Sequence, residues 1–348
     1  MKILLGMSGG LDSTFAAHKL IEEGHTVEGA ALIMHEHTDI DGARESCESL
    51  GIRLHIIDCR ERFAARVIEN FLDEYTIGRT PNPCIVCNSD VKFAALYEFA
   101  IKNGFDKIAT GHYARLVSVS SDGEERFAFA RAADSRKDQS YMLWRLSQEI
   151  LSHLILPLAS DIKTDVREAA RSIGLKVADR EESQEICFIP DNDYASYIEE
   201  RRGVSEKGDF IDTDGKILGE HNGIIRYTVG QRKGLGIAMG ERVFVTEIDP
   251  INNTVMLSPK DSYANYIEIS GIVFSGIKEA KVGERLALSV KVRYPAPPVE
   301  TDFIYLGEGR AEAYLSTPVR AVATGQSAVF YSGETVALGG FIDKSSVK

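Results

Sequence analysis

The chain has 348 residues, 44% of them apolar, with 52 acidic against 40 basic side chains and five cysteines. This length calls for two or three domains with sizeable cores, five cysteines in so long a chain are no disulfide framework, and no run of about 18 apolar residues exists to cross a membrane. A net charge of −12 disfavours non-specific nucleic-acid binding but leaves room for a folded RNA held by local basic patches.

Lys2–Leu5 reads as an apolar strand, with no signal peptide before it, which sets the expectation of a cytoplasmic, reducing location and, by default, a monomer. The octet Gly6-Met7-Ser8-Gly9-Gly10-Leu11-Asp12-Ser13 follows, then a helical run from Thr14 to Glu23. Strand, Gly/Ser turn and helix make a phosphate cradle. Gly9 and Gly10 let the backbone approach an anion and adopt positive φ, and the first amides of the helix point at it. Ser8 and Ser13 add hydroxyls, and Asp12 suits a Mg²⁺ carried by a phosphate. No Lys follows the turn, so this is not a Walker A loop.

Strands at Val27–Leu32, Leu54–Ile57 and Lys107–Thr110 alternate with helices at Gly42–Leu50, Arg62–Tyr75 and Val91–Asn103. The pattern predicts a parallel sheet covered on both faces, with ligands at the carboxyl ends of the strands, where Gly111-His112-Tyr113 also falls. Two short strands, Ala114–Ser118 and Arg126–Ala130, come next, then helices at Asp138–Leu146 and Thr164–Ile173. Beyond Tyr197 glycine becomes dense and short strands dominate: Ile224–Thr228, Arg242–Asp249 and Thr254–Leu257. From about Ile267 strands recur at barrel or sandwich spacing, including Leu286–Arg293, Ala311–Tyr314 and Ser327–Tyr331. The expected domains are 1–197, 198–264 and 265–348.

Thr80-Pro81-Asn82-Pro83-Cys84-Ile85-Val86-Cys87-Asn88 is a rigid loop entering a helix near Ser89. A thiolate there is expected to have a lowered pKa and to be nucleophilic. Cys187 stands in Ser183-Gln184-Glu185-Ile186-Cys187-Phe188-Ile189-Pro190, while Cys47 and Cys59 read as buried bystanders. Cys84, Cys87 and Cys187 admit four readings: a zinc site completed by His112, a thioredoxin-like pair, a sulfur relay, or an iron–sulfur cluster on three thiolates. Trp144 reads as core. Lys137-Asp138-Gln139 alone reads as a polar helix start with Asp138 as N-cap. Arg293-Tyr294 at a strand end offers a phosphate partner and a stacking ring.

Eight stretches in order carry a resemblance to a known family: 6–13, 80–88, 109–115, 137–143, 186–190, 227–237, 292–295 and 325–331. They resemble the bacterial tRNA-specific 2-thiouridylases over essentially the whole chain. The resemblance implies an N-terminal doubly wound α/β domain of the ATP pyrophosphatase type, a small central β-rich domain and a C-terminal β-barrel. It implies ATP-dependent 2-thiolation of the wobble uridine in the tRNAs for Lys, Glu and Gln, by way of an adenylate. ATP would lie on Gly6–Ser13, Leu32 and Gly111, with Mg²⁺ near Asp12. Contacts to tRNA would come from Asn82, Pro83, Cys84, His112, Lys137, Asp138, Gln139, Arg293, Tyr294 and Gln326. Cys87 matches the nucleophile position and Cys187 the persulfide carrier, with a Cys87–Cys187 disulfide formed during turnover. Sulfur would come from a cysteine desulfurase or a relay protein. Many members carry Asp where this chain has Cys84. The thiol is read either as sharing that residue's proton transfer or as a ligand, with Cys87 and Cys187, of a [4Fe–4S] cluster.

Two other classes share the loop. An amide or guanidine ligase would need no cysteine trio, and an RNA-binding protein with a vestigial loop would turn over no ATP.

Overall fold

A computed structural model describes residues 1–121, 123–180, 186–189 and 191–348. β1 (Lys2–Gly6), β2 (Thr26–Ile33), β3 (Leu54–Asp58), β4 (Lys107–Ala109) and β7 (Leu154–Ile155) form a five-stranded parallel sheet in the order β3-β2-β1-β4-β7. Side chains alternate across a strand, and β1 uses both faces. Ile3 and Leu5 pack with Ala16, Ala17 and Leu20 of the helix Leu11–Glu22, whereas Leu4 joins Phe63, Phe71, Phe93 and Leu96 from helices on the other side. The sheet is therefore covered twice, as the apolar strand runs require.

β8 (Gly208–Ile211), β9 (Ile217–His221), β10 (Phe244–Asp249) and β11 (Thr254–Ser258) make a small separate sheet around Phe210, Tyr227, Val245 and Val255. The remaining strands are β12 (Tyr263–Phe274), β13 (Arg285–Lys291), β14 (Val299–Gly307), β15 (Arg310–Arg320), β16 (Ser327–Ser332) and β17 (Thr335–Ser346). They run in the order β12-β15-β14-β13-β16-β17, and pairing of β12 with β17 closes a six-stranded antiparallel barrel. Closure removes the free edges such a sheet would otherwise expose.

The hairpin β5 (Arg115–Ser121) and β6 (Glu124–Ala130) leaves the parallel sheet and joins the barrel, Ala130 pairing with Thr335 of β17. Arg126 Nε donates to the Ser275 carbonyl at 2.9 Å, and Arg115 Nη2 meets Glu334 at 2.5 Å. Trp144 is fully buried as expected, its Nε1 donating to Ser327 Oγ at 3.1 Å. Its indole lies on Gly339, where a Cβ would come within 2.5 Å of the ring.

Three sequence expectations differ from the structure. Asp138–Leu146 holds only a 3₁₀ turn at Ser140–Met142. The Asp138 carboxylate accepts from the amides of Ala132 and Ser140 and from Ser140 Oγ, which favours a local turn over a helix. Ile224–Thr228 is likewise a 3₁₀ turn, Ile224–Arg226, entered through Gly223 at φ 102. The cysteine-bearing helix starts at Pro83, not near Ser89, because Pro is pre-set for the first helical position. It runs through π-helical Cys87–Lys92 into Phe93–Lys102.

Candidate active site

β1 stops at Gly6, the helix starts at Leu11, and four residues turn between them. Gly9 is the glycine this turn requires. Its φ is +73, and a Cβ there would lie 2.4 Å from the Gly42 carbonyl carbon. Gly10, at φ −91, needs no left-handed backbone, so only one of the two glycines behaves as expected. The two serines tie the turn together: Ser13 Oγ donates to the Gly10 carbonyl at 3.1 Å and accepts from the Ser8 amide at 3.2 Å. Gly111, just past β4, closes the cradle from the side, since a Cβ there would meet Asp12 backbone at 2.7 Å.

Asp12 Oδ1 accepts from the Tyr113 hydroxyl at 2.9 Å and from Lys163 Nζ at 2.6 Å. The residue read as a metal contact thus faces a buried ammonium, one that the sequence reading missed. Lys163 opens the helix Lys163–Ser172, and its amide is held by Asp134 at 3.1 Å. A lysine two residues after an aspartate in a polar stretch gives no sequence signal.

A cavity of about 500 Å³ opens beside the loop. Gly6, Met7, Ser8, Asp12, Ser13, Leu32 and Gly111 of the expected nucleotide set line it. His112, Gln139 and Cys187 share its wall. Gly9 and Gly10 form the turn behind it, while Leu11 is packed into a separate core with Val166 and Ala170. Met34, His35 and Lys92 also line the cavity and were not singled out. The rule that ligands sit beyond strand carboxyl ends finds the first two, which follow β2 directly.

His112 Nδ1 pairs with Thr110 Oγ1 at 2.9 Å, and burial together with the charge of Lys92 pushes its pKa down to about 3. It is a neutral imidazole at the cavity wall. Gln139 is a brace: its Oε1 accepts from the Tyr113 amide at 2.8 Å, and its own amide donates to the Tyr113 carbonyl at 2.7 Å. Asp138 is buried within its turn rather than offered to a partner, and Lys137 lies beside it, half-buried.

All five cysteines are free thiols, and Cys47 and Cys59 are buried as expected. Cys84 and Cys187 are exposed, whereas Cys87 is only 7% exposed, with its Sγ 3.5 Å from Met34 Sδ. Burial pushes the Cys87 thiol up to about 11, and the neighbouring Cys187 and Cys84 add to the rise. Burial thus works against the activated thiolate expected at this helix start. Desolvation outweighs the helix terminus because Cys87 sits in the second turn, below the surface. The Cys187 thiol is raised as well: although the residue is exposed overall, the protein around it on the cavity wall desolvates the thiol, and the neighbouring Cys84 adds to the rise.

Among the described residues no three Cys, His, Asp or Glu side chains are gathered to hold a metal ion. The trio does not fit a cluster in this arrangement, and the zinc site with His112 is not formed either. Of the stretch around Cys187, Ser183, Gln184, Glu185 and Pro190 lie outside the described residues.

The Asn82–Cys84 loop reaches the same region. Asn82 Nδ2 approaches Met142 Sδ at 3.6 Å, and Pro83 is buried at the helix start. Gln326 Nε2 donates to the carbonyls of Thr80 at 2.8 Å and Pro81 at 3.3 Å, so it holds this loop in place. Arg293 and Tyr294 follow β13 on the barrel, with the Tyr294 ring 6.1 Å from Tyr141.

Three family models match in succession: a tRNA methyl transferase HUP domain over residues 1–191, a tRNA methyl transferase PRC-barrel domain over 195–259, and an aminomethyltransferase beta-barrel domain over 266–342. The tRNA-specific 2-thiouridylase MnmA of Acetivibrio thermocellus is 41% identical, covering 98% of this chain and 99% of its own. That of Clostridioides difficile is 39% identical over 99% and 98%, and that of Treponema denticola 41% over 99% and 98%. Among solved structures, a 4-thiouridine synthetase–RNA complex with bound ATP aligns at TM-score 0.39 and 19% identity, over 57% of this chain and 50% of that one. On these full-length relatives at about two-fifths identity, the chain belongs to the family of tRNA-specific 2-thiouridylases, MnmA.

Proposed function

We propose that this chain is an ATP-dependent tRNA sulfurtransferase that converts the wobble uridine of the tRNAs for Lys, Glu and Gln to 2-thiouridine. The observation that carries the reading is the shared cavity: a glycine-built phosphate cradle and an exposed cysteine, Cys187, face the same space.

The chemistry needs both. A uracil O2 is a poor leaving group, and adenylation by ATP turns it into AMP while releasing pyrophosphate. The cradle amides face the phosphates, Asp12 would hold a phosphate-borne Mg²⁺ that supplies further positive charge, and Lys163 orients that carboxylate through its ion pair. Cys187 receives a terminal sulfur from a persulfide donor, a cysteine desulfurase or a relay protein. The persulfide sulfur attacks C2 and AMP departs. Cys87 then attacks the Cys187 sulfur, the S–S bond breaks towards the base, and a Cys87–Cys187 disulfide remains for a thiol reductant to reopen. The target base must leave the anticodon stack to reach the cavity. Asn82, Pro83 and Cys84 meet it from one side, His112 and the Lys137–Gln139 turn from another, and Arg293, Tyr294 and Gln326 from the barrel.

The division of labour follows the three units expected from the sequence. Residues 1–197 bind ATP and carry the cysteines, 198–264 form the small central unit, and 265–348 form the barrel that approaches the RNA. No helix among the described residues is long and apolar enough to cross a membrane. A monomer working in the cytoplasm fits this reading.

The test is direct. The purified protein, ATP, Mg²⁺, a cysteine desulfurase with cysteine, and an unmodified tRNA-Lys transcript are combined, and 2-thiouridine is read on a mercury-containing gel. Thiolation by the parent protein, with Cys187→Ser still releasing pyrophosphate but forming no 2-thiouridine, supports the assignment. A parent protein that leaves the transcript unthiolated sinks it.

A further inference from the structure

Three cations collect where the nucleotide-binding unit meets the barrel. Arg131 follows β6, and its guanidinium lies 4.9 Å from the centre of the Tyr331 ring. Lys291 ends β13, with its ammonium 5.8 Å from the Tyr141 ring centre and 5.6 Å from that of Tyr294. Arg293 stands two residues further on.

The chain carries 52 acidic residues, yet among the described residues none of these three forms an ion pair. The Nε atoms of both Arg131 and Arg293 are buried with no hydrogen-bond partner. A buried donor left unpaired costs about 1–3 kcal/mol, more when it is charged. Asp138 is close enough to act on Lys291, Tyr294 and Tyr331, but its oxygens already take two amides and a hydroxyl. Burial and the charge of Arg131 both hold the Lys291 pKa below its usual value, so an added anion would be welcome. The Tyr141 and Tyr331 rings, both buried, form the floor, and the Tyr294 ring stands half-exposed at the rim.

We propose that Arg131, Lys291 and Arg293 together bind one backbone phosphate of the RNA, with Tyr294 placed to stack on an adjoining base. The proposal rests on the tRNA reading above and extends it to Arg131 and Lys291, which none of the shared motifs contains. A phosphodiester offers negatively charged acceptors to the guanidinium groups and to the Lys291 ammonium, which a neutral ligand does not.

Binding of an unmodified tRNA-Lys transcript is measured by filter retention across a potassium chloride series for the parent protein, Lys291→Met and Arg131→Gln. Each variant is expected to bind about three- to tenfold more weakly, with a salt slope shallower by about 0.7 to 0.9. Lys291→Arg should restore the slope. Lys291→Met removes an unpaired, half-buried charge, so its melting temperature should stay level or rise, which separates lost contact from lost fold. Binding of a fluorescent ATP analogue should be unchanged in both. Variants that keep the parent slope overturn the phosphate site while the tRNA reading stands. A parent protein that does not retain the transcript overturns both.

Discussion

Cys87 should be the slow thiol of the active site. Its pKa is pushed from 9.0 up to about 11. At pH 8 an ordinary thiol of pKa 9 is about 9% thiolate and one of pKa 11 about 0.1%, a difference of about 100-fold in the reactive species. Its 7% exposure slows the encounter further. Iodoacetamide labelling of the free protein, followed peptide by peptide with mass spectrometry, measures this. Cys87 is expected to label at least about 100-fold more slowly than glutathione at pH 8, with a rate still climbing at pH 10. The exposed Cys84 should label well ahead of it. If Cys87 labels at the glutathione rate at neutral pH, the burial argument fails and the resting site holds an activated thiolate after all. If the slow rate holds, Cys87 acts only once substrate has rearranged its surroundings, which keeps the second thiol from capturing sulfur before a base is in place.

Further outcomes follow from other contacts. His112 has a folded pKa near 3 against an ordinary 6.5, so the unfolded chain takes up its proton first as pH falls. Stability from this group is complete above about pH 6.5 and is lost between there and about pH 3, by at most about 1.4 kcal/mol per pH unit. His112→Asn should flatten that part of a urea-unfolding series, and an unchanged slope counts against the buried neutral ring. Gly339→Ala drives a Cβ to 2.5 Å from Trp144. The expected cost is about 1–3 kcal/mol, with a shifted emission from the single tryptophan, and a silent spectrum would show that the contact is slack. Gln326→Ala strips the donor from the Thr80 and Pro81 carbonyls and should cost about 1–3 kcal/mol. It should also slow thiolation with ATP affinity unchanged, and parent-like thiolation would reduce Gln326 to a bystander. Asp12→Asn removes the charge facing Lys163. Pyrophosphate release should fall at least about 100-fold, and retained release would exclude Asp12 from the phosphate chemistry.

The first sheet and its loop were legible because their signals are local. Apolar strand, glycines and helix start lie within a dozen residues, and the strand-end rule then places Gly111 and His112 beside them. Cys187 was grouped with Cys84 and Cys87 through shared thiol chemistry and the resemblance, not through any local pattern. Its place on the cavity wall depends on how about a hundred residues of intervening strands, helices and turns pack, which no local pattern specifies. The thiol chemistry at Cys87 was misread because helix position was judged without depth: the helix starts at Pro83 instead of near Ser89, six residues earlier, which puts Cys87 in the second turn and below the surface. Asp138 was misread for a related reason. An aspartate before a hydrophobic run looks like an N-cap, and only the carboxylate's bonds to Ala132 and Ser140 reveal a turn. Lys163 gave no sign at all, since a buried ammonium is visible only through its partner. That β5 and β6 serve the barrel is equally silent, because strand composition does not say which sheet a hairpin will join.

β17 comes last of the strands in chain order, yet it closes the barrel on β12, pairs with β6, and lies beside the Gly325–Gln326 turn that braces Thr80 and Pro81. During synthesis the phosphate cradle therefore emerges long before the segment that steadies the cysteine loop. A chain released early by the ribosome would hold a nucleotide pocket with an unsupported Cys84–Cys87 segment and a hairpin edge still seeking a partner. Support for the cysteine loop is thus a long-range matter: Gln326 reaches the Thr80 carbonyl across 246 residues of chain, so the loop is braced only after the barrel strands around it have been added.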